Sequence, residues 1–267
     1  LYRFGEQNPY VDAFHRWWES DLHKTLQELR ITGGEPLMSG ETWKLLDWFK
    51  ANKGRSTTRL AINSNLGFDG KTMSKFISKT DAIKGLEVYT SNEALGTPAE
   101  YIRDGLDWRA WVDNMHKLAS SGKIRGLHVM NTINALCLDS LPEFIDFMVM
   151  LKHQYGRDFP NFTLNILRFP SFQSPLVLSD DLRTYYRNRL VEVLTRYKDS
   201  NILQEHEINH LQRLIDYLDI VKTPHSEAFE LDKLRNDFKQ FYTQYDQRRD
   251  KNFVQTFPNL SDWYNSL

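Results

Sequence analysis

Residues 29–38, Leu-Arg-Ile-Thr-Gly-Gly-Glu-Pro-Leu-Met, combine the residue types best suited to holding a small charged ligand. Leu29 and Ile31 alternate as in a strand, Thr32-Gly33-Gly34-Glu35-Pro36 follows, and a helical pattern starts at Ser39. Paired glycines at the carboxyl end of a strand let bare backbone approach a ligand, because no Cβ intervenes and φ can turn positive. Pro36 ends the strand by removing a ladder donor, and Glu35 sets one carboxylate at the mouth. Backbone carbonyls and that carboxylate can share the N–H donors of a charged amine.

A second string with chemical meaning is His206-Glu207-Ile208-Asn209-His210, which spells His-Glu-x-x-His. On a helix the two imidazoles would share one face and bind zinc, with Glu207 as general base and Glu227 or Glu230 as a third ligand. The string is short and lies far along the chain, so a solvated helix face is the plainer expectation. Ser39-Gly40 lacks the Gly-x-Ser-x-Gly elbow of a serine hydrolase. Of the adjacent Trp17 and Trp18, one is expected in the core and one at its rim.

The elements that must position these residues alternate. Apolar residues from Tyr10 to Leu29 mark a helix leading into the first strand. Ser39 is expected to cap the next helix, which Lys50, Lys53 and Gly54 close. Strand and helix patterns then follow in turn at residues 59–66, 71–78, 83–89, 108–121, 124–132, 141–155 and 162–167. Five strands separated by helices predict an α/β fold with a parallel sheet that right-handed crossovers curl toward a barrel. After Pro175 the patterns are helical: residues 182–197, capped by Asp180-Asp181, then 202–221 and 228–245, the last two separated by Thr223-Pro224. The aromatic residues of the closing segment are expected to pin it to the body. The division expected is residues 1–175 as a barrel core and 176–267 as a helical C-terminal extension.

Composition sets the outer limits. The chain has 267 residues, 34 basic and 35 acidic side chains and a net charge of −1, so nothing in its balance points to nucleic acid or an anionic membrane. A mean hydropathy of −0.56 and the lack of a long apolar run argue against a spanning helix. The lone Cys137 precludes an internal disulfide and suits a reducing, cytoplasmic location.

In a parallel barrel, ligands sit at the carboxyl ends of the strands. Those ends are polar here: Asn63-Ser64-Asn65, then Tyr89 to Gly96, then Asn131-Thr132-Ile133-Asn134, then Asn165 and Arg168. Amides and hydroxyls offer both donors and acceptors, which suits a ribose, an adenine edge or a carboxylate.

The Gly-Gly-Glu-Pro string resembles the motif with which radical S-adenosylmethionine (SAM) enzymes hold the amino group of SAM. The stretches Ser91–Gly96, Glu100–Trp108 and Val112–Leu118 are similar to the fourth-strand region of twitch-domain-containing members. Asn131–Leu136 with Leu141–Phe144 is similar to their fifth strand and helix, and Tyr245–Phe253 with Phe257–Leu260 to their C-terminal signature. The resemblance covers nearly the whole chain and implies a partial (β/α)6 TIM-like barrel. It places Gly33, Gly34 and Glu35 on the SAM amino group, Asn63 and Asn65 near the methionyl or substrate side, and Ser91 at the ribose or carboxylate. Arg103 would meet the SAM carboxylate, and Asn131 and Asn134 the adenosine. For Arg103 the plain alternative is an ion pair with Asp104 or Glu100, and for Asn134 a turn cap.

In this family three cysteines spaced Cys-x3-Cys-x2-Cys hold a 4Fe-4S cluster, and electron transfer to SAM generates a 5′-deoxyadenosyl radical. The chain lacks that motif, and neither Cys137 nor the pair His15 and His23 replaces it. The resemblance places the motif on a first barrel strand upstream of Leu1, so the chain is expected to be part of a longer protein. No cysteine follows Ser179, so an auxiliary cluster is not expected there. The reading is the SAM-binding core of an enzyme that abstracts hydrogen from an unknown substrate, a peptide or small molecule, and takes electrons from a donor. The alternatives are a cluster-less barrel that binds or scaffolds without redox activity, and a zinc hydrolase using His206, Glu207 and His210. With the first strand upstream, the free edge of the strand at Leu29 would be covered by residues 1–7, by another chain or by water.

Overall fold

The computed structural model describes residues 8–220 and 231–267. Residues 1–7, Thr223-Pro224, Glu227 and Glu230, which entered the expectations above, lie outside the described residues. The chain forms two compact units. One contains the described residues through Thr90 with Asp113–Leu127, and the other contains Ser91–Val112 with His128–Leu267.

In the first unit, helix α1 (Pro9–Trp17) starts at Asn8, whose side chain accepts the Tyr10 N–H. The helix expected to run to Leu29 instead widens into a π turn at Trp18–Leu22, adds one helical turn at His23–Thr25 and is extended by Leu26. Trp18 is the cause visible in the packing. It is buried against Trp48 and Phe49, and its carbonyl meets His23 Nδ1 at 2.7 Å, while Trp17 stays exposed.

Strand β1 (Glu28–Ile31) pairs in parallel with β2 (Arg59–Asn63), and β2 pairs in parallel with β3 (Glu87–Ser91). Leu60, Ala61 and Ile62 are all buried, as a strand covered on both faces requires. Helices α2 (Gly40–Ala51) and α3 (Gly70–Thr80) connect them, burying Leu45, Leu46 and Phe49 on one and Met73 and Phe76 on the other. Ser39 stands at the N-cap of α2 without a side-chain bond, whereas Asp69 caps α3 by accepting from Thr72 N–H at 2.7 Å. Two strand boundaries differ from expectation by three residues or more. Strand β3 begins at Glu87 and not at Ile83, because Gly85 turns the chain at φ +68°. Strand β2 stops at Asn63 because the next residues bend toward Glu35, with Leu66 at φ +53°.

In the second unit, β4 (Gly126–Ile133) pairs in parallel with β5 (Asn161–Ile166) over His128 to Ile133. Helix α4 (Gly96–Ile102) and the start of α5 (Trp108–Ser120) precede β4, and α6 (Leu141–Tyr155) joins it to β5 and stops at Gly156, φ +108°. Parallel pairing with intervening helices is the α/β class expected, and helices α7 (Asp180–Tyr197), α8 (Glu205–Asp219) and α9 (Leu231–Arg249) form the helical extension. Ser179, not Asp180, caps α7. The closing segment is pinned as expected: Phe253 and Phe257 are fully buried beside Tyr101, whose hydroxyl donates to Asp246. No described helix is long and apolar enough to cross a membrane.

Candidate functional site

The Gly-Gly-Glu loop leaves β1 and is held by its own carboxylate. Glu35 Oε1 accepts the Leu37 N–H at 3.0 Å, while Oε2 accepts the Ser64 hydroxyl at 3.1 Å and the Asn65 N–H at 2.7 Å. Ser64 Oγ in turn accepts the Leu66 N–H. One side chain thus ties the end of β1 to the end of β2. A carboxylate has about four acceptor positions, so one remains on Glu35 for a further donor. Gly33 sits at φ +116°, which L-residues rarely adopt, and a Cβ built on either Gly33 or Gly34 would meet nothing within 4 Å. Both glycines therefore face open space, and only Gly33 needs glycine for its backbone.

A cavity of about 530 Å3 opens beside this loop, lined by Gly34, Glu35, Thr32 and Ile31 together with Phe14, His15 and Leu45. That size and the mixed apolar and polar lining suit a small ligand. His15 and Glu41 meet across its lining at 2.8 Å. Asn63 holds a buried amide oxygen with no partner among the described residues, and Asn65 Oδ1 caps the turn by accepting from Gly67 N–H. In the first unit the structure therefore brings Gly33, Gly34 and Glu35 together with Ser64 and Asn65.

The remaining expected residues lie in the second unit. Ser91 ends β3, half-buried. Arg103 forms neither of the ion pairs considered for it. Asp104 pairs with Arg249 and Lys251, and Glu100 accepts the Trp108 N–H. Arg103 instead makes a two-pronged contact with Glu93: Nε donates to Oε2 at 2.7 Å and Nη2 to Oε1. Glu93, only 2% exposed, also accepts the Thr132 N–H at 3.0 Å. Asn131 is fully buried on β4 and donates to the Asn92 carbonyl. Asn134 Oδ1 caps a turn, accepting the N–H groups of Leu136 and Cys137. Glu93 and Asn92 were not singled out from the sequence. The available signal was an acidic residue ten positions before a candidate arginine, inside a polar strand end.

The expected solvated face at His206–His210 is corrected in part. His206 is exposed, but Glu207 is fully buried, where it pairs with Lys152 at 3.0 Å and accepts the N–H groups of Phe162 and Gln204. A carboxylate so engaged has no role as a base for hydrolysis. His210 Nδ1 accepts the Leu164 N–H at 3.1 Å and so is unprotonated there. Burial, Arg213 and His206 lower its pKa below the usual histidine value. The unfolded chain therefore binds a proton that the folded chain resists. Stability is expected to be complete above about pH 6.5 and to fall as pH drops below it. Urea midpoints from pH 7.5 to 5.0 should show a fall that is reduced in His210→Asn.

Among the described residues no group of three His, Cys, Asp or Glu side chains could hold a metal ion. Cys137 is buried, its thiol pushed well up by burial and by Glu93, and it does not fit a cluster thiolate. The described residues thus do not fit a 4Fe-4S cluster.

No family model matches the sequence, and no curated protein matches it. A solved structure described as native anSMEcpe with bound AdoMet and Cp18Cys peptide is similar over 65% of this chain and 48% of its own, with 12% identity and a TM-score of 0.41. The chain spans about half the length of that protein. Similarity at this level assigns no residue.

Proposed function

We propose that this chain is the SAM-binding core and C-terminal region of a radical SAM protein of the twitch-containing kind. The observation that carries the reading is the Gly33-Gly34-Glu35 loop, with two open glycines and a clamped carboxylate that keeps one acceptor free. In this reading the loop's carbonyls and Glu35 receive the SAM amino group, and Arg103 receives its carboxylate. Asn63, Asn65, Ser91, Asn131 and Asn134 are proposed around the ribose, adenine and methionyl portions.

When bound elsewhere in a longer protein, a 4Fe-4S cluster would supply the electron for SAM cleavage. The residues described here bind and orient; none of them holds that cluster. The substrate of hydrogen abstraction is proposed to be a peptide or small molecule, and the reductant an electron-donor protein.

Binding to the chain alone is expected to be weak, because SAM's amino and carboxylate groups lack their metal. Calorimetry at millimolar SAM should detect it in the wild type and lose it in Gly34→Val, whose side chain would enter open space without backbone strain. Equal binding by both proteins, or none by the wild type, would overturn the reading.

A further inference from the structure

We propose that Glu93 is a positioning residue that presents the terminal edge of Arg103 to the carboxylate of an amino-acid-type ligand; this rests on the SAM reading above and assigns a role to a residue to which the resemblance gives none. A guanidinium carries five N–H donors in a rigid fork. Glu93 accepts from Nε and from one hydrogen of Nη2, so the side edge of the fork is occupied. Both Nη1 hydrogens and one on Nη2 remain, and these form the end-on edge that matches a second carboxylate.

Burial separates the two partners. The Glu93 side chain is 2% exposed and that of Arg103 34%, so the acid is the anchored partner and the arginine the presented one. Glu93 is itself anchored, because Oε1 also accepts the Thr132 N–H on β4. Its backbone N–H is capped by Asn92 Oδ1 at 2.8 Å, and the Asn92 carbonyl is held by Asn131. A buried charge without its partner is costly, so Glu93 keeps the guanidinium in one orientation whether or not ligand is present. Asn92 Nδ2 and Asn131 Oδ1 are buried without partners among the described residues, which leaves one donor and one acceptor in the same network.

The test compares SAM with decarboxylated SAM, which shares the sulfonium and adenosine but lacks the carboxylate. Affinities are measured by ligand-detected NMR on the full chain, with circular dichroism and thermal unfolding as folding controls. The wild type should prefer SAM by about tenfold or more, the gain of one bidentate charged pair. Glu93→Gln should bring that ratio close to one, and so should Arg103→Lys, which keeps the charge on a half-buried side chain without the fork. The double variant should lose nothing further. A purely structural Glu93 would lower the melting temperature and leave the ratio unchanged in folded protein, which overturns the inference. A wild type that binds both compounds equally also overturns it, and with it the carboxylate role of Arg103, while leaving in place the reading of the Gly-Gly-Glu loop as the site of the SAM amino group. A wild type that binds neither removes both. Should Glu93→Gln fail to fold, Arg103→Lys decides: a retained preference for SAM overturns the inference.

Discussion

Removing either member of the Lys152–Glu207 pair alone is expected to destabilise the protein by about 3–5 kcal/mol, the largest single-residue effect anticipated in this chain. Both side chains are fully buried, and the ammonium also donates to the Arg157 carbonyl at 2.7 Å and to Asn161 Oδ1. Burial pulls the Lys152 pKa down while Glu207 holds it up. Lys152→Met leaves Glu207 buried without its counter-charge, and Glu207→Ala also orphans the N–H groups of Phe162 and Gln204. The double change Lys152→Met, Glu207→Leu should cost much less than the two single changes added, because no uncompensated charge remains. Urea unfolding of the three variants checks this; additive losses would show that the charges do not depend on each other.

The second large effect belongs to Glu35. Glu35→Ala withdraws the acceptor from the Leu37 N–H, the Ser64 hydroxyl and the Asn65 N–H. Leu37 and Ser64 are buried, so water replaces that acceptor poorly, and each orphaned group costs about 1–3 kcal/mol. Asn65 is exposed and adds little. A destabilisation of about 2–4 kcal/mol is expected, with faster amide exchange at Leu37 and Leu66 than at Ile62. Uniform acceleration across β1 and β2 would mean that Glu35 stabilises the sheet in general, and the loop would not be its specific target.

Much of the fold was legible because it rests on local patterns. Helix α6 runs between the expected residues, since its apolar spacing is regular and Gly156 stops it. Other features depend on contacts that spacing does not show. The π turn at Trp18 follows from packing against Trp48 and Phe49. The late start of β3 follows from one glycine turn inside an apolar run. At the candidate site, the glycines and Glu35 were legible as a motif, but the clamp on Ser64 and Asn65 joins segments about thirty residues apart. Glu207 looked like a solvated helix residue because helical periodicity marks faces, not partners, and its partner Lys152 lies on another helix. Glu93 was hidden for the same reason: its neighbours Thr132 and Arg103 come from different elements.

The central claim is that the Gly-Gly-Glu loop receives the amino group of SAM. Backbone amide shifts of Gly33, Gly34 and Glu35, followed by NMR as SAM is titrated into the full chain, test it most directly. The account predicts that these amides move in a saturable way with SAM and stay still with adenosine alone, which lacks the methionyl α-amino group. Saturable shifts confined to other residues, with Gly33, Gly34 and Glu35 unmoved, would contradict it.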